Sequence, residues 1–350
     1  MEYKLNRTPN FERLRRALLC EGEPDLVPNL ELGVHPMHKS TIIGRPCVSV
    51  ADEIEFARHA AYDYIKVQPR LPLLPTFANG HTEDAGKRNW ATENGSGLIT
   101  SLQDVEKFSW PTISDISYTR FEEACTLIPD DMAIIGQYGD IFTLVWEMMG
   151  FESFSYALYD DEDIEIVEQL FDRIGTLIYS MFETMASSNK VGALWYRDDL
   201  AYIGGPIINP KYYRQYLFPW VRRIGDLAKK RDIPFLYHSD GLLYSLIPDL
   251  IDCGVTSLHP IEPKAMDPYE VKTRFAQDKL SIVGSIEMDT LARGTTEEVE
   301  ALVHDRIKRV APGGGYCLGS GNSVPDYVKF ENYWAMLSAG EKWGRYPISL

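Results

Sequence analysis

Short apolar and β-branched runs alternate along the chain with longer stretches of helical periodicity. Most of the apolar runs are continuous, which is typical of parallel strands that are covered on both faces. Amphipathic stretches separate them, and eight strand–helix units close most naturally into a barrel. The pattern predicts an α/β fold, a (β/α)8 TIM barrel. The candidate strands are VPNLEL (27–32), YIKVQ (64–68), MAIIGQ (132–137), ALWYR (193–197), PFLYH (234–238), VTSLH (255–259), LSIVGS (280–285) and YCLGS (316–320).

Polar residues at the ends of the helical stretches predict where three helices begin. One helix is predicted over about 163–187, and another after Asn209-Pro210, with the asparagine as cap and the proline in the first turn. A third begins at Thr295, where Glu298 completes a capping box. An open doubly wound sheet is the rival fold, but no glycine-rich turn follows the first strand and no P-loop motif occurs.

The chain is predicted to form one domain over residues 1–350, with an N-terminal helical extension that contains FERLRRALL. Residues 69–131, between the second and third candidate strands, exceed a normal strand–helix connection. This segment contains Pro72, Pro75, Asn79-Gly80 and Asn94-Gly95. It is predicted to be an insertion over one barrel mouth, either a lid or a decoration.

Charge and composition exclude several classes of function. The 35 basic and 51 acidic residues give a net charge of −16, which repels nucleic acid. No apolar run approaches the roughly 18–20 residues of a membrane helix, and the charged N-terminal residues contain no apolar export segment. The five scattered cysteines indicate a reduced chain without a disulfide framework. We therefore expect a cytoplasmic enzyme with no membrane or nucleic-acid partner.

Reactive groups of a barrel enzyme lie at the carboxyl ends of its strands. Nitrogen, oxygen and sulfur donors follow several of the candidate strands, and together they suit zinc better than magnesium or calcium. Their spacing is not that of a compact metal motif. A single cysteine is also a small apolar group, and a strand-end histidine is also a structural hydrogen-bonding group. The candidate residues at or near these strand ends are Arg197, Asp198, Asp199, His238, Asp240, His259, Glu262 and Cys317.

The C-terminal half of the chain resembles the uroporphyrinogen decarboxylase superfamily, whose members are single-domain (β/α)8 barrels. The resemblance rests on segments that occur in the family's order. They are MGFESFSYALYDDED (149–163), INPKYYRQYLFPWVRRI (208–224), PFLYHSDG (234–241), LIDCGVTSLHPIEP (250–263), LSIVGSIEMDTLARGTTEEV (280–299) and GGGYCLGSGNSVPDYVKFEN (313–332).

Two chemistries occur in that superfamily: decarboxylation of uroporphyrinogen without a cofactor, and zinc-dependent methyl transfer to or from a corrinoid. The resemblance implies zinc ligands at His238, Glu262 and Cys317. Asp240 stands where the methyltransferases have a second cysteine, and the resemblance leaves open whether it is a further ligand, supports a ligand or does neither. The features of the decarboxylases are missing. No basic substrate-gripping loop occurs, Trp146 occupies the place of the catalytic tyrosine, and the family's Gly-His-Gly reads Gly-Ser-Gly at 319–321.

The resemblance therefore predicts a zinc-dependent methyltransferase that acts with a corrinoid carried by a separate partner protein, on a small methyl ether or thiol. Asp198 and Asp199 are predicted to orient the substrate or to accept a proton from it. Uroporphyrinogen decarboxylase and a non-catalytic barrel of the same superfamily remain as alternatives. The predicted pocket lining consists of His35, Gln68, Tyr138, Trp146, Arg197 and Tyr202.

Overall fold

The computed structural model describes residues 3–73, 97–160 and 163–348. Seven parallel strands form a curled sheet in the order β1-β2-β3-β6-β7-β8-β9, and β4 and β5 form a separate antiparallel hairpin. The strands are β1 (Tyr64–Val67), β2 (Ala133–Gly139), β3 (Val191–Arg197), β4 (Ala201–Tyr202), β5 (Gly205–Pro206), β6 (Phe235–His238), β7 (Ser257–His259), β8 (Ser281–Val283) and β9 (Tyr316–Cys317).

Helices connect successive strands of the sheet, as in a TIM-like barrel. A π-helical turn over Tyr213–Leu217 joins α9 to α10, and short 3-10 turns lie at Ile113–Asp115 and Ala276–Asp278. The α-helices are α1 (Phe11–Leu18), α2 (Pro36–Ile43), α3 (Val50–His59), α4 (Leu102–Lys107), α5 (Thr119–Leu127), α6 (Ile141–Met149), α7 (Phe151–Ala157), α8 (Ile164–Ala186), α9 (Pro210–Tyr212), α10 (Phe218–Arg231), α11 (Ile247–Asp252), α12 (Pro268–Arg274), α13 (Met288–Arg293), α14 (Thr296–Val310) and α15 (Phe330–Trp343).

Seven of the eight predicted strands are present, and the first one differs. Residues 27–32 make a single parallel bridge, Asn29 with Leu318, beside β9. The Leu30 amide donates to the Leu318 carbonyl and the Leu318 amide to that of Pro28, both at 2.8 Å. Toward β1, a side chain makes the link: the Tyr64 hydroxyl lies 2.9 Å from the Glu31 amide nitrogen and 3.1 Å from its carbonyl oxygen. The wall between residues 27–34 and β1 is therefore held by side chains.

The predicted helix boundaries are confirmed. Asp163 and Ser187 flank α8 as its caps. The Asn209 side chain accepts from the Lys211 amide at the start of α9, and Thr295 and Glu298 form both halves of a capping box at α14. The signals at Asn209 and Thr295 worked because their side chains satisfy amide groups that a helix N-terminus leaves without partners.

The predicted insertion, 69–131, is only partly visible. Residues 74–96, which include Pro75, Asn79-Gly80 and Asn94-Gly95, lie outside the described residues. The remainder carries α4, which packs on α8, and α5, which packs on α3 and β1. These helices therefore pack against the outer helices and β1, and the lid remains a prediction. Within the described residues, no helix combines the length and hydropathy that a membrane span requires.

Candidate metal centre at the strand ends

Three donor side chains converge where β3 and β6 end. These strands pair Arg197 with His238, so the residues that follow them come out side by side. Asp199, His238 and Asp240 each place a ligand atom within 4.8 Å of the others, and we call these residues the donor triad. The Asp240 amide donates to Asp199 Oδ1 at 3.1 Å, and His238 Nε2 lies 3.7 Å from that oxygen. Among the described residues, no other group of three or more acidic, histidine or cysteine side chains brings its ligand atoms this close together.

A second imidazole holds the ring of His238. The Nδ1 atoms of His238 and His259 lie 2.8 Å apart, and both rings are buried. Burial lowers the pKa of His238 to about 4 and that of His259 well below its usual value, so both rings are neutral at pH 7. One Nδ1 carries the shared proton. When it belongs to His238, the Nε2 lone pair of that residue faces the two aspartates, which is the form a metal ligand needs.

The aspartates are also held by the chain around them. Asp240 Oδ2 accepts from the Asn322 side chain at 2.7 Å. Gly241 follows with a φ of +89°, and a Cβ there would lie 2.5 Å from the Ala201 backbone, so the turn after Asp240 requires glycine. The Asp199 side chain is 45% exposed, which leaves one side of the triad open. One nitrogen and two carboxylate oxygens with an open side fit a catalytic zinc site, which uses three protein ligands and keeps a position free.

Glu262 lies beside the donor triad without joining it. Its Oε2 accepts from the Gly241 amide at 3.1 Å, on the residue next to Asp240. The group whose ligand atoms all lie within 4.8 Å of one another does not include it. The structure thus places this carboxylate at the turn that carries Asp240.

Cys317 is fully buried on β9 and also lies outside the triad. Burial raises the pKa of its thiol well above the usual value, and the charges that act on it come from Cys20, Asp63 and Arg7. Asp63 immediately precedes β1, whereas the triad lies at the carboxyl ends of β3 and β6. The ligand atoms of His238, Glu262 and Cys317 do not all lie within 4.8 Å of one another in the described structure. Strand tilt in a barrel separates residues that appear level in the sequence.

We expect Cys317→Ala to keep full metal content. Its thiol lies outside the triad and is buried in the core, so the variant should lose about 1 kcal/mol of unfolding free energy, the scale of a small core truncation. Elemental analysis and urea unfolding of the purified variant measure both quantities. Loss of the metal with an unchanged fold would return this cysteine to the ligand set.

The Asp198 side chain is hydrogen-bonded to the start of helix α6. It is 1% exposed, and its carboxylate accepts from the amides of Phe142 and Thr143 at 2.7 and 3.0 Å. The hydroxyls of Thr143 and Tyr196 donate to it at 2.7 and 2.8 Å. These donors hold the carboxylate at the start of α6. The predicted catalytic pair is thus divided, with Asp199 in the triad and Asp198 under a helix terminus.

Two of the predicted pocket residues belong to polar networks at the carboxyl ends of the strands. Arg197 forms an ion pair with Asp140 at 2.7 Å, and Gln68 donates to Gln137 at 2.6 Å. Burial raises the pKa of Tyr138 to about 12, with Asp140 adding to the shift and Arg197 opposing it.

The other three lie on helices or on the hairpin. His35 caps α2 through Nδ1, which accepts from the Met37 amide. Trp146 packs edge-on against Phe151. Tyr202 is 62% exposed on the β4–β5 hairpin.

Sequence reasoning offered His259 as a structural hydrogen-bonding group without naming His238 as its partner, and it did not identify Asn322. His259 closes VTSLH as His238 closes PFLYH, and β6 and β7 pair these two residues in register. Two histidines at the ends of adjacent parallel strands were a signal that their rings would meet. No comparable signal marked Asn322, which lies in a loop after β9.

A family model described as "Uroporphyrinogen decarboxylase (URO-D)" matches residues 96–343. Among solved structures, a methyltransferase from Methanosarcina mazei superimposes with a TM-score of 0.69 at 18% identity, over 94% of this chain and 97% of that chain. A 2,3-dimethylmalate lyase aligns with a TM-score of 0.41 at 13% identity, over 89% and 81% of the two chains. Xylanase XynB from Paenibacillus barcinonensis aligns with a TM-score of 0.44 at 9% identity, over 95% and 99%.

No curated protein matches the chain. The similarity to the methyltransferase, at its low identity, supports the barrel fold. The family match spans more than half of the chain and includes every strand from β2 to β9, and with it the whole donor triad. The chain therefore belongs to the uroporphyrinogen decarboxylase (URO-D) family.

Proposed function

We propose that this protein is a zinc-dependent methyltransferase that moves a methyl group between a small methyl ether or thiol and a corrinoid carried by a separate protein. The donor triad is the observation that carries the proposal, because decarboxylation of uroporphyrinogen without a cofactor has no need of convergent metal ligands. Family membership and the fold similarity to a methyltransferase are consistent with it.

Asp199, His238 and Asp240 would hold the ion. A bound zinc supplies Lewis acidity, which stabilises an alkoxide or thiolate at neutral pH. The protein's own part is to hold the donors in place. His259 keeps the Nε2 lone pair of His238 directed at the aspartates, and Asn322 fixes one oxygen of Asp240. The half-exposed Asp199 leaves the side on which a substrate oxygen or sulfur would approach.

The β4–β5 hairpin is our candidate docking surface for the corrinoid protein. It begins two residues after Asp199, and the turn at Gly241 packs against its Ala201 backbone, so it lies beside the triad. Tyr202 and Ile203 are 62% and 57% exposed on it. Exposed apolar side chains beside a reaction centre are typical of a protein interface.

The deciding experiment measures metal and activity on the same preparation. We expect about one zinc per chain by elemental analysis, and methylation of a reduced corrinoid, followed by its absorption spectrum, when methyl ethers or methyl thiols are supplied. Turnover of uroporphyrinogen by metal-free protein would instead make the chain a decarboxylase. Absence of both metal and turnover would make it a non-catalytic barrel.

His259→Phe tests the positioning of His238. The phenyl ring fills a similar volume but offers no Nδ1, so the His238 ring loses the partner that fixes its tautomer. We expect zinc affinity to fall about 10- to 100-fold, the usual effect of removing such a partner, while saturating zinc still gives one ion per chain. Competition with a chromogenic chelator measures the affinity. An unchanged affinity would remove His259 from the site.

A further inference from the structure

A cavity of about 290 Å³ lies where residues 31–36 meet β1, in the part of the barrel wall that side chains hold together. The apolar lining of the cavity includes Val34, Phe56, Tyr64 and Ile65. The polar groups that line it are those of Lys39, Lys66, Gln68 and Arg120, together with the carboxylates of Glu31 and Glu53. Such a volume lies just below the usual range for small-molecule sites and suits a ligand of one ring or a short chain.

The positive charges in this cavity exceed the negative charges available to neutralise them. Glu53 serves two cations: it accepts from Lys39 at 2.7 and 2.8 Å and lies 3.6 Å from Arg120. Lys66 donates to the Leu32 carbonyl, and no carboxylate of the described residues lies within ion-pair distance of it. In a chain of net charge −16, this is an unusual local excess of cations.

Glu31 does not supply the missing counter-charge. Its two carboxylate oxygens accept from the Ser320 amide at 2.7 Å and the Ser320 hydroxyl at 2.6 Å, which ties it to the chain after β9. Burial raises the pKa of Glu31 to about 8, against the opposing effect of these hydrogen bonds, so the neutral acid prevails at pH 7. The cavity therefore keeps a positive charge at neutral pH.

Lys66 responds to this environment. Burial lowers the pKa of its amine to about 7, with Arg197 and Lys39 acting in the same direction and Glu53 and Glu31 opposing them. The side chain is deep in the barrel wall, yet part of its surface remains accessible because it lines the cavity. An anion in the cavity would reverse the destabilisation of the charged amine.

We propose that this cavity binds a small carboxylate with an apolar body. The carboxylate accepts from the Lys66 ammonium, and the body lies against Phe56 and Tyr64. The proposal does not rest on the proposed methyl transfer, because none of the cavity residues belongs to the donor triad.

Benzoate and its neutral isostere benzamide are matched probes for isothermal titration of the full chain. We expect one benzoate per chain, bound at least about tenfold more tightly than benzamide, because only the anion gains a charge-assisted hydrogen bond from Lys66. Lys66→Met keeps the length of the side chain and removes its charge, so it should abolish the preference for benzoate. Lys107→Met makes the same change on an exposed face of α4 and should leave the preference intact. Equal binding of the two probes, no binding of either, or a preference that persists in Lys66→Met would overturn the proposal.

The wild-type protein supplies a second readout should Lys66→Met fail to fold. At pH 8 the amine of Lys66 is mostly neutral and Glu31, with its pKa of about 8, is partly ionised. A bound carboxylate raises the pKa of both groups, so benzoate binding should take up protons and weaken as the pH rises from 7 to 9. Titrations in two buffers that differ in ionisation enthalpy count those protons. Binding without proton uptake contradicts the assignment of Lys66 as the anion's partner.

Discussion

His238→Ala is expected to abolish metal binding and methyl transfer together. The triad contains one nitrogen donor, and without it two carboxylates remain, a set that favours calcium or magnesium over zinc. We expect zinc content to fall below about a tenth of an ion per chain. Methyl transfer should decrease about a thousandfold, which corresponds to about 4 kcal/mol of transition-state stabilisation. Elemental analysis and the corrinoid absorption assay measure the two losses.

His304→Ala is the matched control for that variant. His304 lies on α14 with its ring against Trp343, far along the chain from the triad, so the same substitution there should leave metal and activity unchanged. Asp240→Asn extends the test, because an amide is a weaker ligand than a carboxylate and the hydrogen bond from Asn322 loses its charged acceptor. Retention of stoichiometric zinc in His238→Ala would show that the ion is held elsewhere.

The fold could be predicted from the sequence because its signals are local. A buried parallel strand appears as a continuous apolar run, and a helix start appears as a capping residue, so seven strands and three helix starts were found. The first predicted strand was apolar enough but makes only one bridge. Whether this segment forms a regular strand depends on how closely β1 and β9 approach it, and the apolar pattern alone does not predict the distance between these segments.

The candidate site was harder to predict because it depends on the direction in which each side chain projects from its strand end. That His238 and Asp240 lie at a strand end could be inferred from the barrel rule, and the structure brings them together. Cys317 satisfied the same rule, yet its thiol is not among the donor atoms that the structure brings together. Asp198 and Asp199 are neighbours in sequence, but the first accepts from the start of α6 and the second belongs to the donor triad. Successive residues of an extended chain project to opposite sides, which accounts for the difference.

Asp198→Ala is expected to destabilise the protein strongly and leave metal binding intact. Truncation removes the acceptor of four hydrogen bonds, from the Phe142 and Thr143 amides and the Thr143 and Tyr196 hydroxyls. No water reaches these buried groups easily, and leaving them without partners should cost about 3 kcal/mol of unfolding free energy. Urea unfolding measures the loss, and zinc content per folded chain measures the integrity of the triad.

Asp115→Ala provides the comparison for an exposed carboxylate with a similar local role. Asp115 accepts from the Thr112 amide at 2.7 Å and the Thr112 hydroxyl at 2.8 Å. Because water replaces those hydrogen bonds at the surface, Asp115→Ala should lower the free energy of unfolding much less than Asp198→Ala does. The loss of unfolding free energy in Asp198→Asn should lie between those of the two alanine variants. The amide keeps one accepting oxygen but turns its own donors toward the buried N–H groups of α6. A stable Asp198→Ala variant that retains zinc and loses only methyl transfer would instead make Asp198 catalytic, as the sequence suggested. The expected pattern, lost stability with full metal content, assigns this carboxylate to the anchoring of α6 beside β3.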